Sequence, residues 1–89
     1  MSDVAKERYY FHLENGFGIA RDEEGQEMAD LAAAKAFAID SIRSILKGDL
    51  VAGVIDLRGK IEIADGQGAV LAVVRFPEAV EVRESGGRE

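Results

Sequence analysis

The chain reads as a single α+β domain in the order β-β-α-β-β, with two antiparallel β-hairpins flanking one long helix that packs on one face of an antiparallel sheet. Three observations carry this reading. RYYFHLE alternates with a period of two, LAAAKAFAIDSIRSIL repeats its apolar residues on a helical period, and KIEIADGQGAVLAVVRF is a pair of β-forming runs around a Gly-rich turn.

Residues 8–14 are β-formers, and alternation puts Tyr9, Phe11 and Leu13 on one face and Tyr10, His12 and Glu14 on the other. Asn15-Gly16 predicts a type I′ turn with both central residues at positive φ, and 17–21 is the returning strand. Asp22, Glu23, Glu24 and Gly25 predict a tight solvated turn, after which 26–28 resumes extended pairing. Asp30 is a good N-cap, because its carboxylate can accept from the free N–H groups of a helix starting at Leu31 and oppose the helix dipole.

Within the helix, Leu31, Ala34, Ala38, Ile42, Ile45 and Leu46 form one stripe toward the sheet, leaving Lys35, Asp40, Arg43 and Lys47 away from its centre. Gly48 weakens it by about 1 kcal/mol relative to Ala. Gly53 offers the left-handed stop after Ala52. A connector through Val54, Ile55 and Leu57 leads to a strand at 60–64 with Ile61 and Ile63 inward. Asp65-Gly66-Gln67-Gly68 turns the chain into a last strand at 69–76, which Pro77 ends, and Val80 and Val82 offer a short extended tail. The domain is expected to occupy 8–82, with flexible ends at 1–7 and 83–89.

The 89 residues allow one core, near the lower end of what folds without staples, and with no cysteine neither disulfides nor thiolate metal sites can help. The start MSDVAKE has no basic-then-apolar signal pattern, which leads to the expectation of a cytoplasmic protein without a membrane anchor. A formal charge of −6 disfavours phosphate backbones, so a nucleic acid is not expected as a partner.

At RYYFH, DEEGQE and DLAAAKAFA the chain resembles a family of short bacterial proteins, common in alphaproteobacteria, catalogued as a domain of unknown function. Arg8, Tyr9, Tyr10, Phe11 and His12 match its opening. Asp22, Glu24, Gly25, Glu27, Asp30, Leu31 and Ala34 match its middle, and Glu62, Asp65, Gly68, Leu71 and Phe76 its end. The resemblance covers 8–82 and implies a fold and a bacterial origin but no catalytic residues. Met28-Ala29 stands where the family usually has Leu-Pro, and Gly48 interrupts a helix that is normally Gly-free.

His12 is the sharpest candidate for chemistry, since imidazole changes charge near neutral pH, yet a metal would need converging ligands and the chain has no second His. A hydrogen-bonded surface histidine is the simpler reading. Asp22, Glu23, Glu24 and Glu27 surround a glycine as Ca²⁺ ligands can, but their spacing is not that of an EF-hand and a solvated turn explains them. Asp49, Asp56 and Asp65 read as turn and boundary residues, and the glycines of Gly16-Phe17-Gly18 and Gly66-Gln67-Gly68 lack the strand-loop-helix setting of a phosphate cradle. No serine has a base beside it in sequence, and an aromatic RNA platform would require a positive groove. No catalytic, cofactor or metal residue is assigned.

A helix covers one sheet face only, so apolar residues elsewhere call for another partner. Tyr10, His12, Phe37, Ile39, Leu71 and Val73 are the candidate contact surface, and the leading expectation is a non-enzymatic protein-interaction module that self-associates as a homodimer. Two other readings stand beside it. Hairpin, helix, strand is also the order of the compact domain of HicB-type antitoxins, which implies a regulatory module with a basic protein partner, and a small ligand-binding protein or enzyme would use His12.

Overall fold

The computed structural model describes residues 6–83, so 1–5 and 84–89, where most of the expected flexible ends fall, lie outside the described residues. A five-stranded antiparallel sheet carries one long helix, in agreement with the expected class. The elements are β1 (Glu7–Asn15), β2 (Gly18–Ala20), β3 (Gln26–Met28), α1 (Leu31–Ala52), β4 (Lys60–Ala64), β5 (Val70–Arg75) and α2 (Phe76–Ala79). The main path across the sheet is β2-β1-β4-β5, and β3 also pairs with β1.

β1 is the organising strand. Its end pairs with β2 through Leu13↔Ala20 and Asn15↔Gly18, its beginning with β3 through Glu7↔Met28 and Tyr9↔Gln26, and its other edge with β4 from Tyr10↔Ala64 to Glu14↔Lys60. β4 then pairs with β5, with an irregularity at Ile63/Ala64. Alternation along these ladders places Tyr9, Phe11, Ile61, Ile63, Ala72 and Val74 under the helix.

The helix obeys its local signals at both ends. Asp30 Oδ1 accepts from the Ala33 N–H at 2.8 Å, and Gly53, at φ 93, donates to the carbonyls of Asp49 and Leu50. Ala34, Ala38, Ile42 and Leu46 are its buried residues. The two alanines let the backbone approach the sheet, while Ile42 and Ile63 are the largest fully buried side chains. Tyr9 joins this core, and burial, with the charges of Glu7 and Asp30 adding, pushes its hydroxyl pKa up.

Several expectations are corrected. The first turn is shifted by one residue: Asn15 is still in the ladder opposite Gly18, Gly16 and Phe17 are the central pair, and Gly16 is not at positive φ. The Asn15 side chain is the cause, since its Oδ1 accepts from the Phe17 N–H at 2.7 Å and closes a local loop that an Asn-Gly I′ turn would not contain. The returning strand shrinks accordingly to Gly18–Ala20.

The second correction concerns the end of the chain, where the last strand stops at Arg75 and a short helix, α2, follows before the backbone turns extended again at Val80. Pro77 favours this helical turn because its fixed φ and missing N–H suit a first-turn position. Phe76 thereby folds back on Gly59, donating its N–H to the Gly59 carbonyl at 2.9 Å. The third correction, the separation of Phe37 and Ile39 from the sheet surface, belongs with the candidate site.

A Cβ on Gly59 would lie 2.7 Å from the buried Phe76 ring, which has no free direction to yield. Gly59→Ala is expected to cost about 1–3 kcal/mol by overpacking. Gly48 has nothing near its missing Cβ, so Gly48→Ala is expected to gain about 1 kcal/mol of helix propensity. Urea denaturation of both variants checks the opposite signs.

Candidate functional site

Between its contacts with β2 and β3, β1 faces a loop, residues 21–25, where the ladder lapses. Backbone groups there must find other partners. Asp22 supplies them: its Oδ2 accepts from the Phe11 N–H at 3.1 Å, and its Oδ1 accepts from the N–H groups of Glu24 at 3.2 Å and Gly25 at 3.0 Å. The Asp22 N–H in turn donates to His12 Nδ1 at 3.1 Å. Arg8 closes the far side, donating to the Glu24 carbonyl at 2.8 Å and pairing with Glu27 at 3.3 Å.

Gly25 is required by this closure. It sits at φ 71, and a Cβ would come 2.9 Å from the Tyr9 carbonyl oxygen and from the Tyr10 ring. Asp22 is therefore half-buried and fully engaged, which corrects its reading as a solvated turn residue. Partial burial opposes its ionisation, but the N–H groups of Gly25, Phe11 and Glu24, with a smaller push from His12, outweigh it and hold the carboxyl below its usual range.

The network also decides what His12 can do. Accepting at Nδ1 places the proton of the neutral ring on Nε2, so the outward nitrogen is a donor and not a free base. Across the open sheet face His12 stands opposite Glu62, and Glu62 opposite Val73, while Lys60 lies 3.4 Å from Glu14 and 3.6 Å from Glu62. The acidic loop does not converge on a cation: Asp22 is turned to backbone N–H groups, Glu27 to Arg8, and among the described residues no group of three or more His, Asp or Glu side chains is placed to hold a metal.

Of the six candidate contact residues, Tyr10 and His12 are half-buried on the open face, and Leu71 and Val73 are exposed. Phe37 and Ile39 are not part of that surface. The Phe37 ring lies 4.9 Å from Phe11 at 58°, and Ile39 packs against the core, because the sheet is wide enough to reach beyond the central stripe of α1. Asp49, Asp56 and Asp65 do serve turns: Asp49 Oδ2 accepts from the Asp56 N–H, Asp56 grips Arg58, and Asp65 Oδ1 accepts from the N–H groups of Gln67 and Ala69. The Arg58 hydrogen bonds hold the Asp56 carboxyl down at about 2.

Asp22 is the residue that sequence reasoning undervalued, and its signal was present. Asp22 and Gly25 have the same Asp-x-x-Gly spacing as Asp65 and Gly68, where a carboxylate also collects N–H groups from the residues after it.

Sheet, helix and loop closure define a small α+β domain whose histidine and aspartate are spent on holding an edge together. Residues 8–77 match the Domain of unknown function (DUF6894), and the chain belongs to that family. No curated protein and no solved structure matches it. Among the described residues no helix is long and apolar enough to cross a membrane.

Because the Asp22 carboxyl is held below its ordinary value of 3.8, the stability it contributes is complete above that value and is lost as the pH falls through it toward the lower folded value. Asp22→Ala is expected to cost about 1–3 kcal/mol at neutral pH, by stranding the N–H groups of Phe11 and Gly25. Urea melts across the acid range should show the gap from the parent protein closing as pH drops; a gap that stays constant would remove the carboxylate from the account.

Proposed function

We propose that the domain is a protein-interaction module that self-associates by pairing β5 with β5 of a second copy. The carrying observation is that β5 ends the sheet while Val70, Leu71 and Val73 remain exposed. An open strand of this kind presents unpaired N–H and C=O groups to any extended partner, and proteins usually blunt such edges with charge, proline or a bulge. Val70–Arg75 is VLAVVR, with one charge at its end, no proline, and a register shift at Leu71 near its start that leaves Ala72 to Arg75 in regular pairing.

The direction of the backbone supports this reading. Phe76 turns its N–H to Gly59, so alternation turns Val74 and Ala72 toward β4 and leaves the N–H groups of Val73 and Arg75 pointing outward. Antiparallel pairing about Val73 satisfies both copies with the same surface, the isologous arrangement of a two-fold dimer. The leading role for Tyr10 and His12 is then to flank a sheet that continues into the second copy, not to act on a substrate.

Val73→Pro removes an outward N–H while sparing the β4 ladder, and Ala72→Pro removes an inward one. Sedimentation velocity at micromolar concentration is expected to show a dimer for the parent protein and a folded monomer for Val73→Pro, with Ala72→Pro unfolded by circular dichroism. A parent protein that stays monomeric, or a Val73→Pro variant that stays dimeric, would rule out β5 pairing.

A further inference from the structure

α1 is 22 residues long, about 33 Å at 1.5 Å per residue, and its last buried residue is Leu46, six residues before its end. The C-terminal half of the helix forms a groove with two other segments: Leu46 and Leu50 from the helix, Ile55 and Leu57 from the connector, Val80 and Val82 from the chain after α2. The groove holds about 300 Å³, at the small end of the roughly 300–1,000 Å³ typical of small-molecule sites. Leu50, Ile55 and Val82 are half or more exposed, at 65%, 50% and 70%, so the wall is built but uncovered.

Charge distinguishes this groove from the rest of the acidic protein. Arg43 and Lys47, one helical turn apart, stand on its helix side. Arg43 is fixed by donating Nε–H to the Ala79 carbonyl at 2.6 Å, and Lys47 enters no ion pair among the described residues. Glu81, on the opposite side, is exposed and pairs with Arg83 at 3.0 Å.

We infer that this groove binds a free aliphatic carboxylate, with the hydrocarbon chain along Leu46, Leu50, Ile55 and Val80 and the carboxylate on Lys47 and the outer nitrogens of Arg43. Apolar walls give the chain its burial, and two cations on one rim give the head group its place and its sign. The site is separate from β5 and independent of the self-association reading.

Decanoate, kept below its micelle concentration, is the probe, titrated into the full chain and followed by amide chemical shifts. Saturable one-to-one binding with shifts confined to the groove is expected, with decanol and decyltrimethylammonium binding more weakly. Lys47→Glu should weaken decanoate by about tenfold, the loss of one charge-assisted contact, and Leu50→Asp should abolish binding. Both residues are exposed, so both variants should fold. Equal binding of the alcohol or the cation, shifts centred on the open sheet face, an unaltered affinity in Lys47→Glu, or no saturation would each overturn the assignment.

Discussion

Every strand except β5 hydrogen-bonds directly to β1, so the fold depends on satisfying that one strand along both edges. On the β4 side an unbroken ladder does this. On the other side the return chain touches β1 at two short stretches and lifts away between them, and there the Asp22 carboxylate replaces the missing strand by accepting from Phe11. A carboxylate is suited to the task because it offers acceptors in several directions at once, enough for Phe11, Glu24 and Gly25 together. His12 takes the one N–H the carboxylate cannot reach, that of Asp22 itself.

This dependence changes how the aromatic and acidic residues of the first third of the chain are to be understood. Tyr9 and Phe11 face the helix and fill the core, Tyr10 packs beside Gly25, and the acids at 22 and 27 hold backbone and Arg8 in place. A cluster of His, Asp and Tyr in sequence can look like catalytic equipment, but here the hydrogen bonds of His12 and Asp22 are directed inward at the chain. Chemistry needs a group with capacity left over, and in this closure the outward share of His12 is one N–H donor.

Features written in a few neighbouring residues were legible from sequence. Asp30 and Gly53 bound α1, the stripe from Ala34 to Leu46 orients it, and strict alternation locates β4. What was not legible depends on which strand lies opposite which residue. Asp22 and Phe11 meet only because the β1–β2 and β1–β3 registers bring them together, and no local pattern encodes that pairing. The Asn15 turn failed for a related reason, since an Asn side chain competing for the Phe17 N–H outweighs the dipeptide preference. Phe76-Pro77 carried two meanings, strand stop and helix start, and the contact of Phe76 with Gly59 selects the second.

The two edges of the sheet are treated differently, and the proposed self-association rests on that asymmetry. Along β2 and β3 the outer edge is short, interrupted at 21–25, and lined by Glu23, Glu24 and Glu27, features that discourage a further strand. β5 is longer, is irregular only at Leu71, and carries no acid. Two copies of a chain with a formal charge of −6 repel one another, yet charges separated by more than about 8 Å are largely screened at physiological salt, so the contact need only be free of carboxylates locally. β5 is the longest edge strand in this sheet that meets that condition, and its one charge, Arg75, has the sign that an acidic second copy attracts.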